Sequence, residues 1–400
     1  MLEEGYNKEV GAMIAKRLTV FTLLLLITLV VVAMLLIPGC GDKDSAADKE
    51  DGEAGGQPGG EIAPEPLGTW QQISLDGFGK KNNIGATSMA LYRDDLYVGT
   101  ENDESGCEVW RLQDQDWSLV NTSGFGEAGD LRSLCMTAYQ GSLYVGTDNW
   151  STGGEVWRYD GSAWLQAGAP GFGSAKNEAV HGLIIRGDDL VAGTTNTTAG
   201  CEVWRYDGNA WSRIVGGGFG DVRNTCAHGL LSDGDDLYVG ADNETTGYEA
   251  WKYDGNAWTQ INPDGFGDRN NTDLHSMAFY EGEIYAATTN AVTGCEVWKY
   301  DGNTWTQVNA DGFGDPGNAE TYDLAVRGSS LFTGVSNEKT GCEIWRYDGS
   351  TWLQVNADGF GDPGNVRCFS LMADGVLLLA GTWNETTGCE VWRYTIPSGE

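Results

Sequence analysis

Three histidines are all that this chain of 400 residues contains, and they stand at 181, 228 and 275, each 47 residues from the next. Imidazole loses its proton near neutral pH and is the commonest nitrogen ligand for transition metals. Three imidazoles on one centre are the set that hydrolytic zinc sites use, with a further position left open for water. The spacing raises a metal site built from His181, His228 and His275. The competing reading is duplication, in which a histidine is copied with its repeat and wedged between neighbouring strands.

Oxygen ligands form a second candidate. The segment NADGFGDPGN occurs at 309–318 and again at 356–365. Asn309, Asp311 and Asp315, and likewise Asn356, Asp358 and Asp362, follow a 1-3-7 spacing with glycine at the turn. That spacing partly matches a calcium loop of the Asp-x-Asp-Gly type. A glycine-rich turn with solvated acids is the plainer alternative. The fold requires no cofactor on either reading; calcium or zinc is an addition.

The elements that position these residues come from one periodicity. Trp70, Trp117, Trp164, Trp211, Trp258, Trp305 and Trp352 are separated by 47 residues without insertion. Counting positions from that Trp as zero, Gly-Phe-Gly recurs at +7 to +9, Asn at +32, Gly at +36, Glu at +38 and a second Trp at +40. Repeats of this length are supersecondary units that must stack to bury a core. Within one unit, SMAFY (276–280), IYAATT (284–289), CEVWKY (295–300) and WTQVN (305–309) read as four strands separated by turn residues. Four antiparallel strands per 40–50 residues are the signature of β-propeller blades. The expected fold is all-β, a seven-bladed propeller over 68–395 with a short tail at 396–400. The last unit lacks its fourth strand, and the first begins with an orphan one, TWQQIS (69–74). The orphan should complete the final blade and close the ring.

The units resemble Kelch repeats over residues 69–394. LYVGT at 96–100 and 143–147 carries Gly-Thr where a Kelch unit has a glycine doublet, followed by an aromatic strand, a turn and a Trp. The resemblance implies the propeller fold and nothing about activity, because propellers host enzymes and inert scaffolds alike.

The N-terminus reads differently. Lys16-Arg17 precede an uncharged apolar run from Leu18 to Ile37, then Pro38-Gly39-Cys40. Residues 1–40 are therefore expected to be a signal peptide or membrane anchor, with Cys40 the lipidated residue of a lipoprotein-type box. Residues 41–67, acidic and poor in large apolar side chains, read as a disordered tether. Positive charge stays inside, so the propeller is expected outside the cytoplasm, anchored to the membrane. The formal net charge of −34 excludes nucleic acid as a partner.

Against a repeat this regular, departures from symmetry carry the function. At +17 the residues run Thr87, Leu134, His181, His228, His275, Tyr322 and Phe369, at the start of the strand expected to line the channel. Strand alternation places +17 on the same face as the Met or Leu at +19. Trp150 and Trp383 are the two tryptophans outside the repeat pattern and fall in the loops after the second strand. His181, His228, His275, Tyr322, Trp150 and Trp383 are the expected ligand-binding set. The Glu at +38 reads as structural, and the cysteines as free thiols. No nucleophile–base pair or phosphate loop is present. The expected function is a monomeric, non-catalytic binding or adhesion module for a cell-surface or extracellular glycan, peptide or protein on the loop face. The alternative is an extracellular metal-dependent hydrolase or lyase using the three histidines.

Overall fold

The computed structural model describes residues 68–396. The signal or anchor with Cys40, the acidic linker and residues 397–400 lie outside the described residues. What is described is all-β, with 28 strands and a short 3-10 turn at each Gly-Phe-Gly. The strands form antiparallel four-stranded units in chain order, such as Asp273–Tyr280, Glu283–Thr289, Val297–Tyr300 and Trp305–Gln307. Three sheets are single units, and two are pairs of units joined by one residue pair each, Gly85 with Trp383 and Thr195 with Cys226. The inner strand of each unit packs on the next, and Arg367–Asp374 returns to Gly85–Tyr92. The architecture is propeller-like.

The first and last strands of the described residues meet as expected. Thr69–Gln72 pairs antiparallel with Val391–Thr395. The third strand begins later than read from sequence, at Val297 rather than Cys295, and the fourth ends at Gln307 rather than Asn309. Asn309 leaves the ladder because its side chain caps it, accepting from Val297 N at 2.7 Å.

An aromatic seam joins adjacent units. Phe78 lies flat on Trp110, with ring centroids 5.1 Å apart at 8°, and meets Trp117 of the next repeat edge-on at 4.9 Å. Such pairs contribute about 0.5–1.5 kcal/mol beyond their burial. Trp117 Nε1 then donates back to Ile73 O at 2.7 Å, and Trp70 closes the seam on Val355 O at 3.0 Å. The Phe of every Gly-Phe-Gly sits at positive φ, from 52° to 60°. Glycine at +7 and +36 has a steric cause: a Cβ on Gly106 would lie 2.6 Å from Gly124 Cα of the next repeat. Backbones touch there.

The recurrent polar residues form a buried ladder. Asn318 Nδ2 donates to Glu343 Oε2 at 2.9 Å, Trp345 Nε1 donates to the same oxygen at 2.8 Å, and Asn337 Nδ2 donates to Asn318 Oδ1 at 3.0 Å. The +38 carboxylate is therefore held by side-chain donors rather than by the backbone of the Gly-Phe-Gly loop. Buried polar groups need such partners.

Candidate functional site at the channel mouth

A cavity of about 420 Å³ lies where the inner strands converge, lined by all the +17 residues from Thr87 to Phe369. A local irregularity aims them there. In six units the ladder skips +17: Val180 pairs with Thr194 and Gly182 with Gly193, leaving His181 without a partner. Leu274 and Ser276 bracket His275 in the same way, and Thr321 and Asp323 bracket Tyr322. The exception is His228, which pairs with Gly240 while Gly229 and Leu230 take the slip. Gly229 accommodates this at φ 51°. A bulge of this kind bends a strand and re-aims a side chain. The expected simple alternation from +17 to +19 is thereby corrected: the bulge interrupts it.

The +17 side chains form an arc of rings. His181 and His228 have centroids 4.0 Å apart at 66°, His228 and His275 4.9 Å, His275 and Tyr322 4.8 Å, and Tyr322 and Phe369 4.5 Å. Nε2 of His228 faces Nδ1 of His181. The other nitrogen of His228, Nδ1, stands 2.8 Å from Asp242 Oδ2, off the line of a good hydrogen bond. Burial lowers the His181 imidazole well below its usual range and that of His228 to about 4, so both are neutral at pH 7. Burial pushes Asp242 up to about 7, against the pull of His275.

Two further repeat positions vary beside +17. At +15 stand Gly85, Arg132, Ala179, Cys226, Asp273, Glu320 and Arg367, and at +31 Glu101, Asp148, Thr195, Asp242, Thr289, Ser336 and Trp383. Running those two positions down the repeats exposes the asymmetry of the mouth. Cys226 Sγ lies 2.9 Å from Thr195 Oγ1. Donor atoms of His181, Cys226 and His228 all fall within 4.8 Å of one another, the one such group of histidine, cysteine or acidic residues among the described residues. His275 does not belong to that group. Around the rim, Arg132 Nε donates to Asp148 Oδ2 at 2.7 Å, and Tyr322 Oη donates to Glu320 Oε2 at 2.7 Å. Burial raises Glu101 to about 7, with Arg132 opposing.

The remaining predicted residues are placed as follows. Trp150 is exposed, at 54%. Trp383 is not a loop residue but ends the strand Leu377–Trp383, where the Arg367 guanidinium covers its ring at 4.8 Å. Each residue of the 1-3-7 pattern has a protein donor to one of its oxygens. Asn309 Oδ1 caps Val297 N, Asp311 accepts from Gln307 Nε2 at 2.8 Å, and Asp315 accepts from Gly317 N at 2.8 Å. Asn356, Asp358 and Asp362 repeat this with Ile344 N, Gln354 Nε2 and Gly364 N. The eight cysteines of the described residues are free. No helix of the described residues is long and apolar enough to cross a membrane.

The fold and the central cavity define a β-propeller. No family model matches the chain, and no curated protein matches it. Among solved structures, a chain of a mitotic checkpoint complex aligns with TM-score 0.55 at 14% identity, over 88% of this chain and 99% of that one. The WD40 repeats of RRP9 align with TM-score 0.56 at 13% identity, over 82% of this chain and all of theirs. The WD40 propeller domain of Doa1 aligns with TM-score 0.54 at 11% identity, over 81% and 96%. At these identities the likeness is one of fold.

Proposed function

We propose that the chain is a seven-bladed propeller of Kelch-like 47-residue repeats, acting as a monomeric, non-catalytic binding module. In this reading it is held outside the cytoplasm, tethered to the membrane through a lipidated Cys40 or its apolar N-terminal run. Its ligand is a glycan, peptide or protein, taken at the channel mouth by the arc from His181 to Tyr322 and by Trp150. The supporting observation is a division of labour among repeat positions. The Asn, Gly, Glu and Trp positions are spent on the framework, while the +17 residues differ from unit to unit and all line one cavity, joined there by Arg132 and Arg367 from +15. A ring needed only as a spacer would have no use for unlike charges and aromatic rings there. Concave sites lined by aromatic rings and a few polar groups are where ligands bind.

The test is binding of the full chain to a panel of soluble glycans and peptides, read by intrinsic Trp and Tyr fluorescence. Tyr322→Ala and Trp150→Ala should each weaken a hit tenfold or more, whereas Leu165→Ala, an exposed outer-strand change, should not. Equal effects at all three positions would sink the assignment of the ligand to the mouth.

A further inference from the structure

We propose that His181, His228 and Cys226 bind one thiophilic transition-metal ion, zinc(II) or copper, at the channel mouth. This goes beyond the ligand-binding reading and does not depend on it. The three donors come from two adjacent inner strands, Ala179–Arg186 and Cys226–Ser232. Their atoms lie within 4.8 Å of one another. Zinc–nitrogen and zinc–sulfur bonds of roughly 2.0–2.3 Å in a tetrahedron put ligands roughly 3.3–3.8 Å apart. To reach that, the two imidazole nitrogens in contact must move apart and the widest pair must draw in.

Three further features fit a metal better than a packed histidine pair. The first is orientation: the imidazoles meet nitrogen to nitrogen, Nε2 of His228 toward Nδ1 of His181. Second, Asp242 places Oδ2 2.8 Å from the far nitrogen of His228, and its other oxygen is fixed by Leu274 N at 3.2 Å. Once a small ring rotation brings Nδ1–H into line, a carboxylate behind a ligating imidazole would set its tautomer and raise its basicity. Third, Thr195 Oγ1 lies 2.9 Å from Cys226 Sγ, where a hydroxyl can donate to a thiolate. Cysteine occurs at +15 in this one repeat alone, so no framework demand explains it.

Two imidazoles and a thiolate are a donor set used by zinc and by copper, and they exclude calcium and magnesium, which take oxygen. On binding, Cys226 releases its proton to solvent as the metal–sulfur bond forms. His181 and His228 also line the cavity, from which water or a ligand donor could fill a further position. Compared with the three-histidine set, the site exchanges His275 for Cys226.

The experiment is titration of the chelator-stripped, reduced full chain with cobalt(II), followed by competition with zinc(II). The expected result is one cobalt per chain with a thiolate-to-cobalt charge-transfer band that zinc abolishes. Cys226→Ser should lose the band and bind at least tenfold more weakly, and His181→Ala or His228→Ala should lose stoichiometric uptake. His275→Ala should keep the band and the 1:1 ratio. Circular dichroism identifies any variant that fails to fold, and the wild-type spectrum is decisive without variants. Folded wild-type protein that takes up no cobalt, or shows no thiolate band, overturns the proposal. So does a band that survives Cys226→Ser or vanishes in folded His275→Ala.

Discussion

The carboxyl of Asp130 faces that of Glu155 at the one repeat where aspartate replaces asparagine at +13. Elsewhere the Asn there donates to the +38 carboxylate, as Asn177 does to Glu202 at 2.8 Å. Asp130 accepts from Asn149 Nδ2 at 2.9 Å, but its Oδ2 is buried without a partner. Burial, with Glu155 adding to it, raises its pKa to about 8. The folded chain thus holds a proton that the unfolded chain gives up near 4. Stability from that proton is full below the unfolded pKa and falls as pH rises toward 8. Asp130→Asn restores the donor, so it should stabilise by about 1–3 kcal/mol at neutral pH. It should also flatten the loss of thermal stability between pH 5 and 8, as melts across that range will show.

A second prediction concerns the framework carboxylates. Glu343→Ala leaves Asn318 Nδ2 and Trp345 Nε1 without their acceptor. Asn318 Nδ2 keeps its bond to Gly312 O, so one buried amide proton and one half-buried indole N–H lose their partner, at a cost of about 1–3 kcal/mol. Urea unfolding should show a lower midpoint, while cobalt uptake at the distant mouth stays stoichiometric.

Ring closure can be tested at Trp70. Its indole packs on Phe360 and Tyr394 with centroids 5.3 and 5.0 Å away, and it bonds to Val355 O. Trp70→Ala should cost about 3 kcal/mol. Deleting the N-terminus through Gln72 should do more, because it bares the edge of Val391–Thr395. Light scattering should then report a larger apparent mass for the truncated chain than for the full one.

Tethering has a chemical readout. If Cys40 carries lipid, cells fed a labelled fatty acid should incorporate it into the chain, and Cys40→Ser should abolish incorporation. Label retained in Cys40→Ser would rule that cysteine out as the acceptor.

The fold was legible because its cause is periodic. Tryptophan every 47 residues, with Gly-Phe-Gly and Asn at constant offsets, leaves little freedom in how the strands pair. The site was only partly legible. His181, His228 and His275 share a repeat position, so sequence placed them together. Cys226 joins them through a bridge between units, Thr195 to Cys226, which no spacing within one repeat reveals. The covering of Trp383 by Arg367 likewise depends on a cross-strand pair, not on either residue's neighbours in the chain. The bulge that aims +17 leaves no mark in composition, since Thr, Leu, His, Tyr and Phe all occupy it.

That skipped residue has an evolutionary consequence. A side chain with no partner across the ladder can change without shifting the register of either neighbouring strand. The propeller then carries a dial whose marks can be altered one at a time, each alteration reaching the channel and few reaching the core. A duplicated ring of identical units could acquire a one-sided mouth by point substitution alone, with the walls left standing.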